Sequence, residues 1–383
     1  MTTFSVASSC EMQSGSPDGC LPEGLRHREQ VQHILVIKLR HYGDVLLTTP
    51  LLSTLQINYP NALIELLVYG DTQSILNGYP HIDKTYSVDR SLKNKGGRAQ
   101  FLGEKALWKT LRRSHYDLVI NLSEQWRAAL YARFLKPTFS IGFNYPNRNN
   151  HLWRACHSFL VNMGGHQQQH TVLNNLSILS PLRLPDKVTK VTQSYQQSDR
   201  DKARQLIDYY RLNDYVLVQP TARWAFKTWS ASRFIQVINH LTAAGETVVL
   251  SAGKSQSEIN ILREIEAGCL MRQRVVNLAG SLELSTLAAL IDQAKLFIGV
   301  DSAPMHMAAA LKTPCVVLFG PSNLAQWSPW QVAHTMLWAG NYRVLPQPNE
   351  VDTDTDERYL DAIPVTDVIN AIDNRLKLLS SAA

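Results

Sequence analysis

The chain has 383 residues, of which 45% are hydrophobic and 18% charged, a composition that excludes a largely disordered protein. Its length exceeds one ordinary hydrophobic core and predicts two domains of roughly 150–180 residues. Lysine and arginine outnumber aspartate and glutamate by 38 to 32, which gives a net charge of +6. This scattered surplus is too small for a dedicated nucleic-acid binder and suits an anionic small substrate or a negatively charged membrane surface.

The N-terminal segment 1–30 is rich in serine, glycine and proline, and we expect it to be a disordered extension. It has neither the basic nor the apolar region of a secretory signal. No apolar run of the chain approaches the roughly 18 residues that span a bilayer. The five cysteines are widely spaced and predict neither a disulfide framework nor a CxxC metal site. We therefore expect a cytoplasmic protein that is soluble or at most peripheral to a membrane.

Strand-like and helix-like segments alternate through the first half of the chain. Near-continuous apolar strands that alternate with helices predict a parallel sheet covered on both faces. The predicted strands are 31–39, 62–69, 84–88, 116–122 and 138–143, and the predicted helices are 45–59, 72–78, 100–114 and 124–135. The irregular segment 144–198 contains one predicted helix, 171–180, and the linker between the domains.

A second alternation begins after Pro185. Its predicted strands are 215–221, 246–252, 274–280, 295–300 and 315–320, and its predicted helices are 199–212, 232–245, 257–268, 284–294 and 303–312. A last helix near 365–379 could pack back on the N-terminal domain. We expect two Rossmann-like, doubly wound α/β domains, 31–185 and 186–383, that face a cleft. Ligands of such sheets bind beyond the carboxyl ends of the strands, so the residues after each strand are the site candidates.

Charged residues follow the first strand, where a dinucleotide-binding domain would carry glycines. The loop Arg40-His41-Tyr42-Gly43-Asp44 has one glycine and lacks G-x-G-x-x-G, so its backbone could not approach a pyrophosphate. The first domain is therefore not expected to hold a nucleotide in the Rossmann manner. Asp44 has two compatible interpretations, a carboxylate that accepts a proton and an N-cap of the following helix.

The segment 215–230 carries a candidate phosphate-binding lysine. Thr221 follows a strand, and Lys227 is a compact cation that could neutralise a phosphate. The alternative is a solvated lysine between two packing tryptophans. The turn that begins at Gly320, after the last predicted strand, is a weaker candidate for a ribose or phosphate contact.

The segment 297–311 predicts an anion site at a helix start. A buried strand ends before Asp301 and Ser302, either of which could cap the helix that starts at about Ala303. The free N–H groups and positive dipole end of such a helix attract anions. His306 lies on the first turn and can donate to a phosphate oxygen. The alternative is a well-capped core helix with an incidental histidine.

Three further patterns are weaker. His166 and His170 have i, i+4 spacing, but they lie among glycines and glutamines without an acidic partner. The segment 352–356 looks like a metal-binding DxD motif but lies in a late polar loop. The segment 251–255 resembles the end of a phosphate loop without the full spacing. We therefore expect neither a metal nor a cofactor.

The segments IKLRHYGDVLLTTPLL and IGVDSAPMHMAAAL resemble the bacterial ADP-heptose:lipopolysaccharide heptosyltransferases, glycosyltransferase family nine. The resemblance runs from about His33 to the C-terminus and implies the GT-B fold. The segment KLRHYGDVLLTTP, together with QPTAR and FKTW, is most similar to members that add a side-branch heptose to the second heptose of the inner core. The resemblance thus implies transfer of heptose from ADP-L-glycero-β-D-manno-heptose to the lipopolysaccharide inner core with inversion, without an obligatory metal.

The resemblance also assigns roles to individual residues. Asp44 falls on the family's proposed catalytic base, and Lys227 on its phosphate-binding lysine, which also stabilises the leaving group. The family's donor-binding block falls on Asp301, Ser302 and His306, and with Thr221, Lys227, Ala303 and Gly320 these are the predicted donor-binding residues. Two features depart from the family's pattern. Thr221-Ala222-Arg223 stands where relatives carry paired threonine or serine, and 1–30 have no counterpart, as expected for an extension or a misplaced initiation site.

Cations of the first half are candidates for the acceptor, because lipopolysaccharide cores are rich in carboxylates and phosphates. They are Lys38, Arg40, Lys93, Lys95 and Arg98. For the loop 93–98 the alternative is a solvated run of charge.

The implied partners are the ADP-heptose donor, the lipopolysaccharide acceptor and the inner-membrane surface, with no nucleic acid. The expected location is peripheral, on the cytoplasmic face of the inner membrane. Two other functions stay open, a sibling heptosyltransferase acting on a different core residue and a non-catalytic lipopolysaccharide-binding scaffold.

Overall fold

The computed structural model describes residues 25, 27–148 and 150–382. Residues 1–24 and 26 of the expected extension therefore lie outside the described residues. The chain divides into two compact units. The first unit comprises the chain up to Gln73 together with Pro80–Thr189, and the second comprises Ser74–Tyr79 and the chain from Lys190 onwards.

The first unit is built on a six-stranded parallel sheet with the strand order β3-β2-β1-β4-β5-β6. Its strands are β1 (His33–Ile37), β2 (Leu63–Tyr69), β3 (Lys84–Val88), β4 (Leu118–Asn121), β5 (Phe139–Asn144) and β6 (Phe159–Asn162). The direction in which the chain winds reverses between β1 and β4. Loops that follow these two strands lie at the switch point where doubly wound sheets bind ligands.

In the described part of this unit, the α-helices around the sheet are α1 (Tyr42–Leu46), α2 (Thr49–Asn58), α3 (Gly97–Leu111), α4 (Trp126–Phe134), α5 (His151–Ala155) and α6 (Thr171–Ser177). The helix predicted over 45–59 is in fact two helices. The chain turns at Leu47 and Thr48, where the Thr48 hydroxyl donates to the carbonyl of Val45 at 2.6 Å. Pro50 lies in the first turn of α2, a position in which proline costs no helical hydrogen bond.

The core of the first unit explains its apolar strands. From Ile34 to Ile37, β1 is buried at every residue, because helices cover both faces of the sheet. Leu35 and Ile37 pack in one cluster with Leu67, Val119 and side chains of α4. This packing fixes where β1 ends, and the loop with Lys38 and Asp44 begins directly after it.

The second unit repeats the topology of the first. Its six-stranded parallel sheet has the order β12-β11-β10-β7-β8-β9, so its switch point lies between β7 and β10. The strands are β7 (Tyr215–Gln219), β8 (Thr247–Leu250), β9 (Val275–Asn277), β10 (Leu296–Val300), β11 (Cys315–Phe319) and β12 (His334–Trp338). Two sheets of this kind are the α/β architecture of a GT-B protein.

The helices of the second unit are α7 (Gln197–Tyr210), α8 (Ala231–Ala243), α9 (Gln256–Gly268), α10 (Leu284–Gln293), α11 (Ala303–Leu311), α12 (Leu324–Trp327) and α13 (Val365–Ala382). The sequence left open that α13 packs back on the first half. Instead it packs against α8, β11 and β12, and its Val368 and Ile372 belong to the core of the second unit. Among the described helices, none has both the length and the apolar composition that crossing a membrane requires.

Sequence reasoning missed one strand in each sheet, β6 and β12. Both are edge strands, and most of their residues are only partly buried. A strand that pairs on one side and is partly exposed shows neither a continuous apolar run nor strict alternation. The missed strands are therefore those with the weakest sequence pattern.

Candidate active site

Lys227 and Asp301 meet at the switch point of the second sheet. Lys227 lies in a 3₁₀ turn after β7, and Asp301 directly follows β10. The Lys227 Nζ donates to Oδ2 of Asp301 at 2.6 Å, and the Ser322 hydroxyl donates to the same oxygen at 2.6 Å. The alternative of a solvated lysine is therefore wrong, because the ammonium is only 18% exposed and is ion-paired.

The charges around Asp301 keep its carboxylate ionised. Burial alone would raise the pKa of this carboxyl, since low-dielectric surroundings disfavour the charged form. The ammonium of Lys227, the hydrogen bonds from Lys227 and Ser322, and the charge of His306 together outweigh burial and lower the pKa below its usual value. Asp301 thus holds the Lys227 ammonium at the strand-end edge of the sheet.

An aromatic pair supports the loop that carries Lys227. The rings of Trp224 and Phe226 are stacked with centroids 5.8 Å apart, and the Lys227 Nζ lies 5.4 Å from the Trp224 centroid. Trp229 is fully buried and contacts Phe234 in the core. The two tryptophans thus have different roles, because Trp229 anchors the loop and Trp224 faces the lysine.

Gly320, which follows β11, lies against the same loop. A Cβ at this position would lie 2.8 Å from Cδ1 of Leu360 and 3.2 Å from the carbonyl oxygen of Phe226. The Gly320 carbonyl accepts a hydrogen bond from Nε1 of Trp338 at 3.1 Å. The glycine thus permits close packing beside Lys227, and its role in donor binding stays a prediction.

The start of α11 presents polar groups next to Asp301. Ser302, not Asp301, occupies the N-cap position, and α11 begins at Ala303. The Ser302 hydroxyl makes no capping bond and, within the described part of the chain, is buried without a hydrogen-bond partner. A buried hydroxyl without a hydrogen-bond partner lowers stability by about 1–3 kcal/mol. A ligand that forms a hydrogen bond with it would therefore be favoured. His306 is buried one turn later, with its ring centroid 6.1 Å from that of Trp327.

Thr221 belongs to a hydrogen-bond network that the sequence did not reveal. Its hydroxyl donates to Oε1 of Glu258 at 2.8 Å and accepts from Nε2 of Gln219 at 3.0 Å. The other oxygen of Glu258 accepts from the Ser255 hydroxyl at 2.7 Å. The S-x-x-E pattern of Ser255 and Glu258 is a helix-start signal, but only the fold shows that Glu258 reaches Thr221. Glu258 is therefore an additional candidate at this edge, placed beside Thr221.

Lys38 and Asp44 form the corresponding group in the first unit. The Lys38 Nζ lies 4.0 Å from Oδ1 of Asp44 and donates to Oδ1 of Asn175 at 3.2 Å. Asn175, on α6, also donates to the carbonyl of Leu47 at 3.0 Å. Burial lowers the pKa of Lys38 to about 8, against the opposing charge of Asp44 and in the same direction as Arg40. The Lys38 ammonium is thus buried beside Asp44 and is not exposed to solvent.

Asp44 occupies the third position of α1, after the N-cap residue His41. The capping interpretation of Asp44 is therefore wrong, although its carboxylate still lies in the first turn, where the helix dipole favours a negative charge. The side chain of Asp44 is 18% exposed. The carboxylate thus lies close to a buried ammonium and keeps partial exposure, which a general base needs in order to reach its substrate.

A buried polar chain holds the loop before Asp44. The Leu39 N–H donates to the Ser123 hydroxyl at 2.6 Å, and the Ser123 N–H donates to Oδ1 of Asn121 at 2.9 Å. Nδ2 of Asn121 lies 3.0 Å from Nε2 of His157. Burial lowers the pKa of His157 to about 4, so the imidazole is neutral at pH 7. The ends of β1 and β4 are thereby tied together.

The other predicted acceptor cations lie in two places, Arg40 in the loop that also holds Lys38 and Asp44, and the rest after β3. Arg40 is exposed in the loop after β1. Lys93 and Lys95 belong to a 3₁₀ helix, Arg90–Lys95, and Arg98 is exposed at the start of α3. β3 lies two strand positions from β1, so the end of β3, where the 3₁₀ helix starts, lies about 10 Å across the sheet from the end of β1. Acceptor contacts at these cations stay a prediction.

Comparisons with known proteins agree on one family. The sequence profile of glycosyltransferase family 9 (heptosyltransferase) matches residues 105–357. Lipopolysaccharide heptosyltransferase 3 of Escherichia coli is 42% identical over 339 residues, which cover 88% of this chain and 96% of the relative. Lipopolysaccharide core heptosyltransferase OpsX of Haemophilus influenzae is 24% identical, with 79% and 83% covered.

Solved structures share the fold. The family 9 glycosyltransferase of Veillonella parvula superposes with a TM-score of 0.79 at 22% identity, covering 90% of this chain and 97% of the other. The Escherichia coli heptosyltransferase WaaC, solved with ADP, gives a TM-score of 0.69 at 19% identity, covering 90% and 100%. At these identities the likeness concerns the fold alone.

Proposed function

This chain is a glycosyltransferase that belongs to family 9, the heptosyltransferases, and we propose that it transfers heptose from ADP-heptose to a heptose of the lipopolysaccharide inner core. The relative that is 42% identical is named lipopolysaccharide heptosyltransferase 3. Its name, and the length over which the two chains align, support addition of the side-branch heptose. The donor proposed is ADP-L-glycero-β-D-manno-heptose.

The observation that carries the proposal is the ion pair of Lys227 and Asp301 at the switch point of the second sheet. A nucleoside diphosphate gathers negative charge as its bond to the sugar breaks. Lys227 and the N-terminal end of α11, with the Ser302 hydroxyl beside it, supply positive potential and a donor for that charge. WaaC, a relative of the same fold, was solved with ADP, which supports ADP as the nucleotide.

Asp44 is the proposed general base. Its carboxylate takes the proton from the acceptor hydroxyl as that oxygen bonds to the anomeric carbon of heptose. The bond from this carbon to the diphosphate breaks on the opposite side, and ADP leaves with the electron pair. Such a single displacement inverts the anomeric configuration. General-base help is typically worth about 10²–10⁴-fold in rate.

The proposed acceptor is lipid-linked, so we place the reaction at the cytoplasmic face of the inner membrane. Exposed cations of the first unit, such as Arg40 and Arg98, support contact with an anionic acceptor. Lys38 has a different proposed role. Because it is buried against Asn175 and close to Asp44, it holds the base in place electrostatically.

The test is a transfer assay with purified protein, ADP-heptose and truncated core lipopolysaccharides. The expected product is an acceptor whose mass has increased by one heptose. Asp44→Asn should lower kcat by about 10²–10⁴-fold while ADP binding stays within twofold of the unaltered protein. The matched control is Asp71→Asn, which removes an exposed carboxylate paired with Arg90 in the same unit and should leave transfer unchanged.

Two outcomes would count against the proposal. If no core acceptor gains mass, the proposal that this chain transfers heptose is rejected. Transfer by Asp44→Asn at the native rate would leave the activity standing and reject Asp44 as the base. Linkage analysis of the product then distinguishes a side-branch heptose from transfer to a different core residue.

A further inference from the structure

One side of α3 exposes large apolar side chains among cations. Phe101 is 65% exposed and Leu102 is 53% exposed, although both lie inside a regular helix. We call this surface the α3 face, and its exposed residues are Arg98, Phe101, Leu102, Lys105, Lys109 and, just after the helix, Arg113. Lone exposed apolar residues are common, but two adjacent ones surrounded by cations form an amphipathic surface.

The opposite side of α3 faces the body of the first unit. Leu111, Leu107 and Trp108 pack in the core cluster of that unit. Glu104 forms an ion pair with Arg127 at 2.8 Å and accepts a hydrogen bond from the Tyr131 hydroxyl at 2.6 Å. Residues of a helix advance by about 100° each, so this arrangement turns Glu104 away from the exposed side. The α3 face therefore carries positive charge without a neighbouring carboxylate from its own helix.

We propose that the α3 face docks the first unit on an anionic lipid bilayer. Phe101 and Leu102 insert at the boundary of headgroups and acyl chains, and Lys105, Lys109 and Arg113 contact the anionic headgroups. Nucleic acid would bind through contacts of the cations with its phosphates, and such binding gives no reason for the two exposed apolar side chains. The inference deepens the proposed function, since it rests on that function for the identity of the lipid-linked acceptor.

The position of α3 suits this role. The chain leaves β3 at the carboxyl edge of the first sheet, forms the 3₁₀ helix Arg90–Lys95, and returns through α3 to the start of β4, so α3 begins toward the edge whose loops include Asp44. The residues at its beginning, Arg98, Phe101 and Leu102, lie toward that edge. A bilayer held there would present its headgroup layer on the side of the first unit where the proposed base takes its proton.

The test measures sedimentation of the full chain with vesicles, without either substrate. The probes are vesicles that contain phosphatidylglycerol and vesicles of phosphatidylcholine alone. We expect binding to the first kind, and binding should weaken as salt rises. Each cation near such a surface strengthens partition by roughly fivefold, so the triple variant Lys105→Gln, Lys109→Gln, Arg113→Gln should bind roughly 100-fold more weakly.

A second variant tests the apolar part of the face. The double variant Phe101→Ser, Leu102→Ser should bind vesicles at least tenfold more weakly, because each substitution removes apolar surface that would be buried in lipid. The matched controls change exposed residues of the second unit. They are Lys202→Gln, Arg204→Gln, Arg263→Gln for charge, and Leu270→Ser, Val344→Ser for apolar surface. Both controls should bind vesicles as the unaltered chain does.

Several results would overturn the docking proposal. They are equal binding to both kinds of vesicle, native binding by the variants of the α3 face, or an equal loss in the controls. Binding of duplex DNA that is lost in the same variants, without vesicle binding, would assign the face to nucleic acid.

A transfer assay separates this inference from the proposed function. With a water-soluble, lipid-free core acceptor, the variants of the α3 face should transfer heptose at the native rate and fail only with acceptor embedded in vesicles. Loss with the soluble acceptor as well would overturn the docking role. Failure of the unaltered chain with both acceptors, with vesicle binding intact, would instead reject the proposed function.

Discussion

The Lys227 ammonium and the Asp301 carboxylate form a hydrogen-bonded ion pair, 2.6 Å from Nζ to Oδ2, that joins the loops after β7 and β10. The two residues are 74 positions apart in the sequence. A buried pair of this kind adds little net stability, because removing both charges from water offsets their attraction. Its value is positional, since it keeps a cation in one place at the edge where a diphosphate would bind.

Replacing Lys227 by alanine should weaken binding of the donor and slow the reaction together. The lost ammonium would otherwise bind the diphosphate and stabilise the charge that develops on it. We expect kcat/KM for ADP-heptose to fall by roughly 10²–10³-fold, as for loss of one charge-stabilising donor. Steady-state kinetics with a saturating acceptor, together with calorimetric titration of ADP, give both parameters.

The control for this prediction is Lys254→Ala. Lys254 is also ion-paired, to Glu283, but is exposed in the second unit. Lys254→Ala should leave kcat/KM for ADP-heptose and the affinity for ADP within twofold of their native values. Unchanged kinetics in Lys227→Ala would show that the diphosphate does not bind at the edge between β7 and β10.

Acid stability should depend on Asp301. Its pKa is lowered in the folded chain from an ordinary value of 3.8, because its partners outweigh the effect of burial. The unfolded chain then binds the proton more readily than the folded chain, so stability from this carboxyl is present above about pH 4 and is lost as the pH falls through the folded value. We expect the difference in unfolding free energy between the native chain and Asp301→Asn to shrink on acidification. Urea unfolding at a series of pH values below 6 measures it, and a pH-independent difference would contradict the assignment.

The buried Lys38 should make the free energy of unfolding depend on pH in the alkaline range. Burial lowers its pKa from 10.5 to about 8, so the folded chain releases this proton at a lower pH than the unfolded chain. The unfolded chain binds more protons between these values, and stability due to Lys38 must therefore rise as the pH rises from 8 to 10.5. Relative to Lys38→Met, the native chain should gain up to about 3 kcal/mol across that range. A constant difference in urea unfolding would show that Lys38 is not buried as a charge.

Gly320→Ala should disturb the loop that carries Lys227. The added Cβ would lie 2.8 Å from Leu360 and 3.2 Å from the Phe226 carbonyl, so the neighbours must move. Overpacking of this kind costs about 1–3 kcal/mol, and we expect a lower melting temperature and weaker ADP binding. Gly164→Ala is the control, because a Cβ there meets no atom within 4 Å. Equal melting temperatures and ADP affinities of the two variants would contradict this packing role.

Much of the fold could be predicted because its strands are buried on both faces. β1 and β10 read as continuous apolar runs, and an amphipathic helix such as α8 buries Phe234, Val237, Ile238 and Leu241 at helical spacing. The sequence did not predict β6 and β12, which lie at sheet edges, or the break of one helix into α1 and α2. At edges and breaks, pairing and turn geometry override the local pattern.

The candidate site was predicted in part. Strand ends and a motif resemblance singled out Asp44, Lys227 and Asp301, because ionisable residues in the loops after buried strands stand out in a sequence. The contact of Thr221 with Glu258 and the hydrogen bond of Lys38 to Asn175 could not be read, since each joins segments far apart in the chain.

The sequence by itself determined the class of fold, the two alternations of strand and helix, and which loops carry ionisable groups, because apolar periodicity and residue chemistry are local properties. Only the tertiary structure decided the strand order of each sheet, the pairing of Lys227 with Asp301 and the burial of Lys38. These depend on which distant segments pack together. Packing sets the distances and the loss of water that turn a charged residue into a fixed, functional group.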